Sequence, residues 1–343
     1  MFQTELLVYL QSLGTQWFTL LMILITKMGS SRAIVAIIVI AIFGVDFKKG
    51  FLLLQLLLWT GLVTELLKVL VAFPRPDFVD NRIVNLEFGT KNSSSFIGNG
   101  EKGFFELPDK QILKAFRLQE TLTPFSFGFP SGHVALTTAL WGGCSIIFKS
   151  RMLKIITPFA ITIIAFSRIY LGRHFIGDVL GGAIVGLILL IVFSYFLKSS
   201  LKDHFFKIEN FELAFRPKNL LFYSFMFIIP ICFMALSLIS TDAAGFVLGT
   251  NVAYLLIIRK GIPDNTGNTK QRAIRASIAL LLLGFSSLVL DLWYKTAVTT
   301  NYLQFTLMGL LKTFIPACTI WVSVVVCRKL ELYVTEKVVY SSL

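Results

Sequence analysis

The sequence predicts an all-α, polytopic helical membrane protein, and three observations carry that prediction. Of its 343 residues, 55% are hydrophobic and only 15% charged, with a mean hydropathy of +0.77; a soluble globular domain carries about 25% charge. Several apolar runs approach or exceed the roughly 18 residues that cross hydrocarbon as a helix. The connections at residues 44–50 and 240–243 are tight enough for antiparallel helical neighbours. A soluble enzyme of this length would have to bury nearly every helix.

Taken in order, the apolar runs predict spans near residues 13–28, 31–46, 50–73, 133–148, 152–170 and 177–197. A second group follows near 219–240, 244–259, 274–293 and 303–327. The count is ten, falling to nine or eight if short runs such as 244–259 re-enter rather than cross. The first dozen residues lack the positive end of a cleaved signal peptide, so the first run is expected to stay in the protein.

Residues 74–129 form one large extramembrane insertion. A polar stretch near 89–103 is followed by Leu107-Pro108-Asp109. Then Ile112, Leu113, Phe116 and Leu118 recur at helical spacing among Lys110, Lys114 and Arg117. That pattern fits an amphipathic helix, either lying at the membrane surface or packed on the bundle. Asn92-Ser93-Ser94 fits a glycosylation acceptor, a triplet common by chance.

A formal charge of +13 would suggest nucleic acid in a soluble protein. Here Lys and Arg gather in the connections between spans, where they set topology, and no nucleic-acid partner is expected. One side collects Lys48, Lys49, Lys149, Arg151, Lys154, Lys198, Lys202 and more. The short loops of the other side hold mainly Lys27, Arg32, Arg173 and Lys295. The basic side is expected to face the cytoplasm with both termini. The sparse side then faces the periplasm or exterior, or a lumen in a eukaryote. Cys144, Cys232, Cys318 and Cys327 lie in or beside apolar runs and argue against a disulfide framework.

With ten spans, three polar clusters fall at a common depth on the sparse side. They are Lys68 with Arg75-Pro76, then Pro130-Ser131-Gly132-His133, then Ser167-Arg168 with His174 and Asp178. Lys68, Arg75 and Arg168 supply cations for a phosphate ester. Arginine meets two phosphate oxygens through its planar fork, and lysine acts as a point charge. Lys68 and Arg75, two helical turns apart, can share a face before Pro76 ends the helix. One basic residue near a span end often only snorkels to the headgroups; three accompanied by histidines do not fit that account.

Ser131 is placed to cap the helix that follows it. Gly132 lets main-chain N–H groups approach an anion, and His133 can exchange a proton with the leaving oxygen. His174 and Asp178, four apart, share a face if their helix begins early enough. The carboxylate would then fix the imidazole tautomer and free its other nitrogen for attack. The expected mechanism is double displacement: His174 takes the phosphoryl group, and His133 protonates the leaving group and then activates water.

No cluster offers three closely spaced metal ligands, and neither a metal nor a cofactor is expected. Asp77, Asp80 and Glu87 read as rim charges, and Asp242 and Asp291 as packing groups near span ends. His204, among Lys202, Asp203 and Lys207, reads as solvated surface.

These residues resemble the signature of the type-2 phosphatidic acid phosphatase (PAP2) superfamily, in its integral-membrane lipid phosphatase branch. The segments K-V-L-V-A-F-P-R-P at 68–76, P-S-G-H at 130–133 and S-R-I-Y-L-G-R-H-F-I-G-D at 167–178 match its three motifs without substitution. The resemblance implies a six-helix catalytic core within residues 1–200, with the insertion at 74–129. It also implies metal-independent chemistry through the nucleophile His174 and the acid His133. A linker at 201–218 would then precede a C-terminal extension of about four spans over 219–343, which departs from the compact pattern.

A site at the membrane boundary suits a substrate whose tail stays in the bilayer, such as a phospholipid, sphingolipid or polyprenyl phosphate, as mono- or diphosphate. A lipid-linked phosphotransferase would use the same phosphohistidine with an alcohol in place of water. A soluble phosphate ester is a further alternative. Transport without hydrolysis would place polar residues deep in the C-terminal spans, yet the interiors near 221–239 and 278–290 read as Leu, Ile, Phe, Met and Ser.

Overall fold

The computed structural model describes residues 1–90, 100–120, 127–207, 216–264, 266–297 and 301–333; the Asn92-Ser93-Ser94 triplet lies outside them. The chain opens with α1 (Glu5–Ser12), α2 (Gln16–Met28), α3 (Ser31–Ile40, continued by a π-turn at Ala41–Val45), α4 (Phe47–Val71) and α5 (Pro76–Val79). There follow α6 (Lys110–Glu120), α7 (Gly132–Phe148), α8 (Arg151–Tyr170), α9 (Ile176–Lys198) and α10 (Ser200–Phe205). Last come α11 (Pro217–Tyr223, with a π-turn at Ser224–Ile228), α12 (Ile229–Ala235), α13 (Thr241–Arg259), α14 (Thr269–Thr296) and α15 (Tyr302–Lys329). Among the described residues, extended pairing is limited to two isolated bridges, Gln3 with Gly100 and Asn85 with Thr90.

Seven helical stretches are long and apolar enough to cross a bilayer among the described residues, or eight if a bent pair counts as one crossing. That pair, Gln16–Met28 and Ser31–Val45, replaces the two antiparallel spans expected at 13–28 and 31–46. Its axes bend by only 51°. The intervening Gly29-Ser30 acts as a kink rather than a hairpin, because the Ser30 hydroxyl accepts from the Ala33 N–H and restarts the helix at once. α7 is apolar but has only 17 residues.

The chain divides into two compact units: Met1–Ile34 with Gln55–Tyr195, and Val35–Leu54 with Phe196–Leu343. Residues 35–54 therefore group with the C-terminal helices, apart from the other residues of the expected 1–200 core. In the first unit, α7 and α9 cross through small residues. A Cβ at Gly142 would lie 2.3 Å from Leu190 Cδ1, and one at Gly182 would lie 2.4 Å from the Ser131 carbonyl. At Gly182 the neighbour is backbone, so only glycine allows that approach, and it brings the start of α7 beside the start of α9.

The first residues of the chain pack at this same end. The Met1 carbonyl accepts from the Gly177 N–H, and Phe2 meets Phe73 and Phe175 edge-on. Thr4 donates to Asp80, and Gln11 donates to the carbonyls of Val84 and Tyr170. The first residues of the chain therefore pack beside the start of α9. α6 packs inward through Phe116, which meets Phe78 and Phe127, so the bundle-packed alternative describes this face. Leu118, expected on the apolar stripe, is exposed.

In the second unit α13 is central. A Cβ at Gly245 or Gly249 would lie 2.2 or 2.3 Å from the carbonyls of Leu310 and Phe314, so α13 and α15 touch backbone to backbone. Pro230 cannot donate to the Met226 carbonyl four residues earlier. Asn251 of α13 donates to that carbonyl instead, at 2.6 Å. Lys312 lies 3.1 Å from Asp242 and 3.9 Å from Asp291, joining three helices.

Candidate active site

α4 ends at Val71, four residues before Arg75, contrary to the expectation that Pro76 stops the helix. Ala72 is left-handed at φ +51°, and Phe73 precedes a proline, which disfavours helical backbone. Arg75 therefore reaches the site from an extended segment, and Pro76 starts α5 instead. Its guanidinium donates to the Arg173 carbonyl at 3.3 Å.

Ser131 occupies the N-cap position of α7, but its hydroxyl makes no capping bond and is buried without a partner. Its N–H donates to the Asp178 carbonyl at 2.8 Å, fixing the start of α7 to α9. A Cβ at Gly132 would meet only Thr64, at an ordinary 3.6 Å, so packing alone does not require glycine there. His133 lies in the first turn and is partly buried.

His174 precedes α9 rather than sharing its face. It meets Asp178 because that carboxylate turns back over the first turn. Asp178 Oδ2 lies 3.3 Å from His174 Nδ1 and accepts the Phe175 N–H at 3.0 Å. The carboxylate thus closes the helix start and orients the imidazole together. Both side chains are buried. Burial first, then the cations Arg75, Arg168 and Lys68, hold the His174 imidazole well below its usual range. It is neutral at physiological pH, with Nε2 unengaged by Asp178.

Lys68, Arg75, His133, Arg168, His174 and Asp178 lie close to one another. His133 and His174 each feel the fields of Lys68, Arg75 and Arg168, and Lys68 feels Asp178. Buried polar atoms without a hydrogen-bond partner gather here as well: Ser131 Oγ, Arg168 Nε, Arg173 Nε and Asp178 Oδ1. Such atoms are uncommon in a packed interior.

Three further residues enter the site without having been expected there. Arg168 Nη1 donates to Thr26 Oγ1 at 2.8 Å and to Glu87 Oε2 at 3.1 Å. Glu87 Oε2 also lies 3.6 Å from Arg173 Nε, and Arg173 sits over the Phe88 ring. Glu87 is therefore a partner of two arginines rather than a rim charge. Asp80 is buried and bonded by Arg82 and Thr4. Burial alone would raise its pKa, but those hydrogen bonds win and lower it. A lone threonine in an apolar helix and an acid in an irregular loop carry no periodic signal. Arg173, one residue before His174, was the one open to notice. Among the described residues, no three His, Cys, Asp or Glu side chains gather as a metal set.

Residues 49–202, somewhat less than half of the chain, match the PAP2 superfamily. No curated protein and no solved structure matches the chain. The chain thus carries a PAP2 superfamily domain in a polytopic helical membrane protein. That domain supports a phosphatase or hydrolase function in general terms.

Proposed function

We propose that this protein hydrolyses a membrane lipid phosphate or diphosphate, without a metal, through a phosphohistidine on His174. The observation that carries the reading is the neutral, Asp178-oriented imidazole set among Lys68, Arg75 and Arg168. His174 Nε2 attacks phosphorus, the P–O bond to the lipid breaks, and the departing oxygen takes a proton from His133, which gains that proton from solvent when the negative charge of the bound phosphate offsets Lys68, Arg75 and Arg168. His133 then accepts a proton from water as that oxygen attacks the phosphohistidine. The P–N bond breaks and inorganic phosphate leaves.

Asp178 stabilises the imidazolium that forms on His174. Lys68, Arg75, Arg168, the Ser131 hydroxyl and the N–H of Gly132 hold the phosphoryl oxygens, whose charge grows in the transition state. The Nε of Arg168 and the hydroxyl of Ser131, both buried and unpartnered, are suited to that role.

A lipid substrate is favoured because α7, with 17 residues, reaches about 25 Å against roughly 30 Å of hydrocarbon. His133 in its first turn then lies at the membrane boundary, where a tail can remain in the bilayer. The basic residues Lys149, Arg151 and Lys154 sit at the opposite end of α8 from Arg168. This supports a site facing away from the cytoplasm.

The test is phosphate release by detergent-purified protein from a panel of phosphatidate, phosphatidylglycerophosphate, a phosphorylated sphingoid base and undecaprenyl diphosphate, with chelator present. Release from at least one lipid, together with acid-labile phosphate on the protein after quenching, supports the proposal. Absence of release from every lipid, or full activity in His174→Ala, refutes it.

A further inference from the structure

Arg168 is held at one edge and unpaired at another. Its side chain is almost fully buried in the last turn of α8. Nη1 is shared between the Thr26 hydroxyl at 2.8 Å and Glu87 at 3.1 Å, while the buried Nε has no partner. Thr26 is fully buried, and its helix is seated firmly. One turn on, a Cβ at Gly29 would lie 3.0 Å from Ile164 and 3.3 Å from the Thr137 hydroxyl. Glu87 is fixed through its neighbour, since the Leu86 N–H donates to the Leu171 carbonyl at 3.2 Å.

We propose that Thr26 and Glu87 are positioning residues that hold Arg168 with its Nε–H directed to the phosphoryl group. This rests on the phosphatase reading given above. An arginine facing a carboxylate prefers to close a two-bond pair with both oxygens, and that would turn its fork away from a substrate. By accepting from Nη1, Thr26 holds the guanidinium short of such closure. Glu87 then acts as a tether and also as a competitor, because its charge occupies a cation that a phosphate would use. Arg173, 3.6 Å from the same oxygen, shares Glu87.

The two substitutions should therefore act in opposite directions on anion binding. Thr26→Val keeps the shape but removes the acceptor, so Arg168 folds onto Glu87. Affinity for orthovanadate, a phosphate mimic, should fall about tenfold and kcat about 10- to 100-fold. Thr26→Ser, which keeps the hydroxyl, should stay within about threefold of the parent on both counts. Glu87→Gln should tighten orthovanadate binding a few-fold while lowering kcat, because the competing charge is gone but the tether is weaker. In an Arg168→Gln background, Thr26→Val should add nothing further.

The measurements are orthovanadate-dependent thermal shifts and steady-state kinetics on the full chain in detergent, using the lipid that the panel identifies. Equal kcat and equal orthovanadate affinity in folded Thr26→Val and parent protein would overturn the inference and leave the phosphatase reading standing. Should Thr26→Val fail to fold, Glu87→Gln decides: weaker or unchanged orthovanadate binding overturns the inference, and tighter binding supports it. A parent protein that binds orthovanadate but releases no phosphate removes the phosphatase reading, and the orthovanadate affinities of Thr26→Val and Glu87→Gln then decide whether Thr26 and Glu87 hold Arg168 for anion binding. One that does neither removes both.

Discussion

Among the described residues, the first compact unit buries Asp77, Asp80, Arg168, His174 and Asp178, whereas the second buries one charged side chain, Arg275. The second unit uses its polar groups to hold helices together. Asn251 satisfies the carbonyl left open by Pro230, Thr319 and Ser323 bond within α15, and Arg275 donates to Thr266 and lies over Tyr333. In the first unit the buried charges crowd one end, and several of their atoms remain unpaired. Buried, incompletely paired charge costs stability. Unpaired buried polar atoms occur in the second unit too, Arg275 Nε and Thr250 Oγ1 among them, but only in the first do they belong to several charged groups gathered at one end.

The largest effect that could break this contrast comes from His174→Ala. Phosphate release should fall on the order of 10⁴-fold or more while the protein elutes and melts like the parent. Arg168→Gln should cost about 10²- to 10³-fold in kcat, the range for one strong preorganised donor. Equal loss in kcat and kcat/KM would place the contact in the transition state.

Gly249→Leu carries the comparison into the second unit. Its side chain would run into the Phe314 carbonyl, so stability should drop by about 1–3 kcal/mol or more, read as a lower Tm. Turnover per folded molecule should not change. A loss of turnover at unchanged Tm would mean that the C-terminal helices take part in the reaction.

The smallest effect concerns pH. His174 is held neutral when folded, whereas the unfolded chain takes up a proton near the ordinary value of 6.5. Its contribution to stability is present above pH 6.5 and is lost as pH falls below it, by up to about 1.4 kcal/mol per pH unit. The Tm of ligand-free protein should therefore decline from pH 7.5 to 5.5, and His174→Gln should flatten that decline. Asp80 has the lowered pKa of a paired carboxylate, so its contribution is lost only at more acidic pH. An unchanged slope in His174→Gln would mean that the imidazole is already charged in the folded protein.

The helical membrane class was legible in the order of residues, since apolar length is a local property that any long run displays. Lys68, Arg75, Ser131, Gly132, His133, Arg168, His174 and Asp178 were legible as well, because the spacing of polar groups around Pro, Gly and His can be read without knowledge of packing. What tertiary structure alone decided was how these groups meet. Arg75 arrives from an extended segment because Ala72 turns left-handed, and Asp178 reaches His174 by closing the start of α9. In place of two predicted antiparallel spans stand two helices bent by 51° at Gly29-Ser30, and Thr26 of the first meets Arg168. Those outcomes depend on which distant surfaces come into contact, and no local pattern of hydrophobicity or charge encodes that.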